Sequence, residues 1–334
     1  MHLHMHIMVR GDGVAARCCA RLLEEGGLSV ALQGPLRSKL PAIMIGVTTQ
    51  KLFRDSFGQD DLFRGLPAIT RRVVAWGPGS DPVVLPHSAV IVSEQDLLER
   101  LQSPAGVGIA SNKEWTIVAS RPMPEACSEQ RFGSRTARAL EVRLRENVDP
   151  SACWVESLEH GWLFLIPGVE GSGWLLRVGD LGESGLRGSR LVSRQIAEIT
   201  AGHAEFAASP RISWPLCGTG WLACGTGALA FDPLCGDGSG HAIREASLAT
   251  AVLRSIQRGG EQDALLSHYR WRLLAGFKRH LEVCEGFYRT GGSTPWWRAQ
   301  LQAVRTGWEW CARELGSGVA GQYQLRGFDL ERIG

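Results

Sequence analysis

Apolar positions along this chain fall in short blocks whose spacing switches between alternation and a period of about 3.6 residues. Residues 5 to 32 begin with an apolar run, Met5 to Val9, followed by Gly11-Asp12-Gly13. Apolar positions at helical spacing then run from Val14 to Gly26, and Leu28 to Leu32 follow. The order is strand, glycine turn, helix, strand, which defines a βαβ unit. Gly26-Gly27 supply the helix stop, and Gln33-Gly34-Pro35 close the second strand. Downstream the pattern predicts a short helix from Thr48 to Phe57, a strand from Arg71 to Trp76, a turn over Gly77 to Pro82 and a strand at Val83 to Leu85. Ser93 then caps a helix reaching Leu101, with Glu94 and Asp96 in its first turn.

Gly106 to Ser111 and Trp115 to Ser120 predict two further strands, the second running into Arg121-Pro122. Beyond them Arg135 to Arg145, Cys153 to Ser157, Gly161 to Ile166 and Trp174 to Val178 have the short lengths and partial alternation of an antiparallel sheet. Residues 186 to 207 return to helical spacing. Trp221 to Cys224 predicts a strand entering Gly225, followed by a second glycine-rich turn and a helix from His241 to Arg258. Residues 261 to 330 have a helical pattern and carry Trp271, Trp296, Trp297, Trp308 and Trp310. No repeat of fixed period is present.

Composition narrows the class. The 41 glycines among 334 residues exceed the usual ~7%. With 44% apolar and 21% charged residues, the chain is globular rather than disordered or fibrous. No stretch reaches the ~18 uncharged apolar residues of a transmembrane helix. A net charge of +2 gives no global field toward nucleic acid or anionic lipid. The arginines from Arg131 to Arg145 alternate with acidic and apolar residues, as on a solvated or pocket-lining face. Nine cysteines without a CxxC pair, and a start lacking a basic then apolar leader, predict a reduced, cytoplasmic protein. His2, His4 and His6 find no further ligand pattern, so no metal site is expected.

The chemistry concentrates in two glycine turns. Gly11, Gly13 and Ala16 follow the G-x-G-x-x-G/A spacing, with Val14 and Ala15 opening the helix. The first glycine permits a tight turn, the second lets backbone approach a pyrophosphate, and the small third residue lets helix and strand pack closely. Gln33 occupies the position where an acid would bind a ribose. The second segment, WLACGTGALAFDPLCGDGSGHAIREASLAT, resembles the closing flavin-binding segment of the FAD-dependent monooxygenase superfamily, which includes aromatic hydroxylases, tryptophan-type halogenases and geranylgeranyl reductases. Asp232, Pro233, Gly236, Gly238 and the helix from His241 match that ending, whereas Thr226 replaces the aspartate expected after Gly225. EHGWLFLIPG, Glu159 to Gly168, resembles a strand that lies over flavin and substrate in halogenases and related hydroxylases.

The resemblance implies an α/β fold: a Rossmann-like FAD-binding βαβ domain, an antiparallel β substrate domain and a helical C-terminal tail. Residues 1–50, 83–125 and 215–260 would form the discontinuous FAD-binding domain, 51–82 and 126–214 the substrate-side sheet, and 261–334 the helical region. FAD would contact Gly11, Gly13, Val14, Ala15, Ala16 and Gln33 on one side, and Gly225, Thr226, Asp232, Pro233, Gly236, Asp237 and Gly238 on the other. A helix N-terminus at the second turn would stabilise negative charge on the reduced flavin pyrimidine.

Halogenases use a lysine to carry the oxidised halide, and the corresponding LPAITRRVVAWG offers Arg71 and Arg72 instead. The resemblance therefore implies a monooxygenase hydroxylating an aromatic substrate, indole or peptidyl tryptophan included, with Arg71, Arg72, Trp162 and Phe164 as pocket residues. Electrons would come from NAD(P)H or an external flavin reductase. The expected partners are a small aromatic molecule or a polypeptide, with no nucleic acid and no membrane span. Two alternatives stay open: a cofactor-depleted binding protein of the same fold, and an isoprenoid double-bond reductase. Asp237 is read as fixing its turn, His241 as a surface residue at a helix start, and Cys235 is assigned no redox role.

Overall fold

Strand β1 (His6–Arg10), helix α1 (Val14–Glu25) and strand β2 (Ser29–Gln33) form the expected βαβ unit, with β1 and β2 parallel and Ile7 opposite Val30. The structure, a computed structural model, describes residues 5–34, 38–101, 115–182, 185–235, 237–316 and 322–333. The predicted strand at Gly106 to Ser111, the glycine at 236, and His2 and His4 lie outside the described residues. Ile7 and Val9 are buried on β1, and α1 covers them with a stripe that includes Ala15, Cys18, Cys19, Leu22 and Leu23.

Next come β3 (Ile43–Gly46), α2 (Val47–Phe57), β4 (Ala68–Ala75), β5 (Val83–Val92), α3 (Glu94–Arg100) and β6 (Trp115–Val118). Ser93 caps α3 as expected, its Oγ accepting the Asp96 N–H at 3.0 Å. The central run holds β7 (Ser128–Arg131), β8 (Thr136–Leu144), β9 (Ala152–Leu158), β10 (Gly161–Pro167), β11 (Ser172–Gly179) and β12 (Ile196–Ala207). After it come β13 (Arg211–Trp214), β14 (Cys217–Gly218), β15 (Trp221–Ala223), the single turn α4 (Gly225–Ala228) and β16 (Leu229–Ala230). Helices α5 (Gly238–Gln257), α6 (Gln262–Thr290) and α7 (Pro295–Gly316) precede a hairpin of β17 (Tyr323–Arg326) and β18 (Asp329–Arg332).

Among the described residues, a five-stranded sheet has the order β14-β15-β6-β1-β2, with β15, β6, β1 and β2 mutually parallel. An eight-stranded sheet has the order β12-β8-β11-β10-β9-β4-β5-β3 and is antiparallel except where β4 meets β9. The architecture is a mixed α/β fold with a parallel-strand sheet and a helical region toward the C-terminus.

Three expectations change. Residues 186 to 207, expected as helix, contain β12, which pairs antiparallel with β8 through three register shifts. Such irregularities interrupt the strict alternation by which a strand is recognised in sequence. The helical pattern of 261 to 330 holds for α6 and α7 but not for the β17–β18 hairpin, which docks on α5 through Asp329 bridged to Arg254 and Arg258. Strands β3 and β5, placed by sequence with the nucleotide-binding pieces, join the eight-stranded sheet because the turn after Ala75 closes β4 and β5 into a hairpin.

The indoles serve mainly as core. Trp162 and Trp297 are 1% exposed, and Trp297 donates to the Leu158 carbonyl at 2.9 Å while its ring meets Trp76 edge-on. All nine cysteines are free thiols. No described helix is long and apolar enough to cross a membrane.

Candidate functional site

The two glycine turns meet. Gly225 has φ +54°, and a Cβ built there would stand 2.5 Å from the Ala15 Cβ at the start of α1. A Cβ on Gly227 would stand 2.4 Å from the Val118 carbonyl oxygen at the end of β6. Only glycine allows these approaches, and only the left-handed backbone at Gly225 allows the turn.

Around this junction lies a cavity of about 450 Å³. Gly13, Val14 and Ala15 form one wall, Ala119 and Ser120 the floor behind β6, and Gly225, Thr226, Asp232, Pro233, Asp237 and Gly238 the opposite wall. Met44, Phe164 and Phe206 close it from the side of the eight-stranded sheet. Neither α1, with Gly13 at its N-cap, nor α5, with Asp237 there, has a side chain capping its first turn. Both helices thus present first-turn N–H groups and the positive end of their dipoles to one cavity, which suits an anionic ligand.

Of the residues expected from sequence, Gly13, Val14, Ala15, Gly225, Thr226, Asp232, Pro233, Asp237, Gly238 and Phe164 line this space together. Gly11 and Ala16 sit just behind it. A Cβ on Gly11 would stand 3.1 Å from that of Ala119 and 3.2 Å from that of Ala16, and the Gly11 N–H donates to the Gln33 carbonyl at 2.7 Å. The Gln33 side chain ends β2 without lining the cavity. Trp162 shares a face of β10 with Phe164 but is sealed beneath Tyr288, whose hydroxyl lies 3.4 Å from the indole nitrogen. Arg71 and Arg72 stand on β4 outside the cavity. Arg71 is half exposed and pairs with Asp149, while Arg72 contacts the His87 imidazole at 3.2 Å.

Several side chains have roles that the sequence did not reveal. The Asp232 carboxylate is enclosed, 2.9 Å from Arg135 Nη2, and it accepts from the Tyr288 hydroxyl at 2.8 Å and the Leu234 N–H at 3.0 Å. Its backbone N–H donates to His280 Nε2 at 2.8 Å. The Asp-Pro element therefore faces the cavity with backbone, and its acid anchors the turn to α6 and to the residue that leads into β8. The Thr226 hydroxyl donates to the Ala119 carbonyl at 3.3 Å. Asp237 does not fix its own turn: Oδ1 accepts from Thr49 on α2 at 2.6 Å and Oδ2 pairs with Arg244 at 2.8 Å. His241 is half-buried and lines the cavity. It stacks on Phe231 with ring centres 3.7 Å apart, and burial, opposed by Asp237 and reinforced by His280 and Arg244, pushes its pKa down to about 4.

Glu245 on α5 also lines the cavity, and its Oε2 accepts the Gly225 N–H at 2.7 Å. The sequence signal was present, since Glu245 is an acid in the stripe that includes Ala242, Ala246 and Ala249. Burial pushes its pKa up from 4.5 to about 8, against the lowering by the Gly225 N–H and Arg244. Between those pH values the unfolded chain has lost this proton and the folded chain keeps it, so stability falls with rising pH by about 1.4 kcal/mol per unit. Glu245→Gln removes that slope. Urea unfolding at about pH 5 and about pH 8 is expected to show the variant gaining on the parent at the higher pH. Parallel pH profiles would refute this assignment.

By sequence, neither a family model nor a curated protein matches the chain. By structure, the chain shares its fold with solved flavin-dependent halogenases and hydroxylases. Among its structural neighbours is QhpG, a peptidyl tryptophan dihydroxylase essential for tryptophylquinone cofactor biogenesis, at TM-score 0.74 and 17% identity over 99% of this chain and 86% of that one. The flavin-dependent brominase Bmp2 aligns at TM-score 0.70 and 15% identity, over 92% of this chain and 94% of that chain. Klebsiella pneumoniae HpxO, solved as an arginine-to-glutamine variant complexed with FAD, aligns at TM-score 0.60 and 14% identity, over 94% of this chain and 96% of that chain.

Proposed function

We propose that the cavity between the two glycine turns holds FAD and that the protein is a flavin-dependent hydroxylase of an aromatic substrate. The observation carrying this reading is the convergence of two helix N-termini, α1 and α5, on one space made by Gly225 lying against Ala15. The donor set fits the cofactor. First-turn amides of α1 beside Gly13, Val14 and Ala15 would take the diphosphate, and those of α5 beside Asp237 and Gly238 the electron-rich pyrimidine edge. With Thr226 in place of an acid and the Gln33 side chain outside the cavity, the ribityl hydroxyls would meet the Thr226 hydroxyl and backbone. When bound, FAD supplies the two-electron transfer and the oxygen activation.

This chain's residues then position and shield. Phe164, Phe206, Met44 and Phe231 give the cavity an apolar wall that excludes water and accepts the face of an aromatic ring. Glu245, protonated at neutral pH, adds no negative charge beside the cofactor. Arg71 and Arg72, held by partners elsewhere, have no part in this reading. The aromatic wall and the structural likeness to a peptidyl tryptophan dihydroxylase support an indole substrate, free or within a polypeptide. Electrons would come from NAD(P)H or from a separate flavin reductase.

The purified protein is expected to be yellow, with a band near ~450 nm and one FAD released per chain on denaturation. Oxygen uptake with reductant is expected to rise when an indole or a tryptophan-bearing peptide is added. A colourless protein that FAD cannot reconstitute would sink the proposal.

A further inference from the structure

A second cavity, of about 810 Å³, lies on the other side of the second glycine turn, lined in part by Phe231, His241, Trp271 and Phe277. Cys235 lines both this cavity and the cofactor cavity. Its Sγ stands 3.6 Å from Sγ of Cys284, which is fully buried on α6. One helical turn before Cys284, His280 places Nε2 3.3 Å from the same sulfur. No other partly exposed cysteine in the described residues has a thiol neighbour at this distance.

We infer that Cys235 and Cys284 form an oxidisable thiol pair, with Cys235 the attacking sulfur, Cys284 the resolving one and a peroxide as the oxidant. The Cys235 thiolate attacks a peroxide oxygen, the O–O bond breaks, and Cys235 becomes a sulfenic acid as hydroxide leaves. Cys284 sulfur then attacks Cys235 sulfur, the S–O bond breaks and the S–S bond forms, and the Cys284 proton leaves with the hydroxyl as water. Two thiols lose two electrons and the peroxide is reduced to water. A thiol reductant reverses the change.

Access and geometry set the roles. Cys235 is partly exposed and lines both cavities, so the second offers access when the first is filled, whereas Cys284 is buried and lines neither. The hydrogen bond from Cys284 lowers the Cys235 pKa against the opposing effect of burial, and that hydrogen bond together with burial raises the Cys284 pKa. This asymmetry is that of an attacking and a resolving thiol. The alternative for this trio, a metal ion held by Cys235, His280 and Cys284, would have to take His280 Nε2 from the Asp232 N–H it already accepts. The molecule supplies its own control: Cys19 and Cys224 also lie 3.6 Å apart, but both are fully buried, so no oxidant reaches them.

The oxidised pair would bind the turn that walls the cofactor cavity to α6, 49 residues away. The test treats the protein as purified, cofactor included if bound, with a small molar excess of hydrogen peroxide. Expected are a mass loss of about 2 Da, loss of maleimide labelling at both Cys235 and Cys284 when the protein is unfolded in denaturant after the peroxide is quenched, a linked proteolytic fragment, and reversal by dithiothreitol. Cys284→Ser should leave a dimedone-reactive sulfenic acid at Cys235, and Cys235→Ser should leave Cys284 reduced. Overturning results are both thiols remaining open to alkylation after peroxide, Cys19–Cys224 oxidising as readily, or a chelator-releasable metal ion protecting the pair.

Discussion

Replacing Asp232 by alanine is expected to cost about 3–5 kcal/mol of stability, the usual penalty for removing one partner of a buried ion pair. The side chains of Asp232 and Arg135 are both completely enclosed. Without the carboxylate, the Arg135 guanidinium keeps only Gln300 Oε1 at 2.8 Å and the face of Tyr288, with 4.5 Å to its ring centre. The Tyr288 hydroxyl and the Leu234 N–H lose their acceptors in the same step. A double variant, Asp232→Leu with Arg135→Met, is expected to recover at least half of the loss, because well-packed apolar groups replace a buried pair at little cost. Urea denaturation of the parent, the single variant and the double variant decides the matter. A single-variant loss below about 1 kcal/mol would mean that the pair behaves like a surface bridge.

Gly225→Val is expected to be nearly as damaging to the fold and more damaging to the site. A β-branched residue at φ +54° adopts the left-handed region at about 1–2 kcal/mol. A Cβ 2.5 Å from that of Ala15 adds an overpacking cost of about 1–3 kcal/mol. Shifting either segment to relieve the contact separates α1 from the second turn and opens the cavity between them. Bound FAD should therefore fall roughly tenfold or more, measured as flavin per chain after gel filtration. Gly225→Ala combined with Ala15→Gly separates the two causes, since it removes the Cβ–Cβ contact and leaves the backbone strain. Wild-type flavin content in Gly225→Val would defeat the proposed cofactor position, whereas its thermal stability tests the packing alone.

Legibility from sequence followed how local each cause was. The βαβ opening was readable because strand period, glycine turn and helix period all fall within residues 5 to 33. The Ser93 cap was readable for the same reason, its partner being three residues on. Strand β12 was not, since its bulges against β8 break the alternation that marks a strand. Asp232 was visible as a motif residue, but its partners Arg135, Tyr288 and His280 come from the approach to β8 and from α6, and nothing local announces them. Arg71 shows the converse, a cation prominent in sequence that the fold gives to Asp149 on the β8–β9 connection. Glu245 lay between these cases, since an acid on an alanine-rich stripe signals an unusual environment without saying which cavity it borders.

The interleaved strand order also has a consequence for how the protein is made. In the five-stranded sheet β6 lies between β1 and β15, and the cavity needs α1 from the start of the chain and α5 from residues 238 onward. A ribosome releasing about 5–20 residues per second delivers β1, α1 and β2 long before β15 and α5. Until then the outer edge of β6 is unpaired, and the first-turn amides of α1 face solvent. Such long-range parallel pairing closes late and slowly. The cavity between the two glycine turns is thus assembled near the end of folding; if it takes FAD as proposed, loading would be a late step in maturation, and the half-made chain, with an open parallel edge, would be the form most exposed to misassociation.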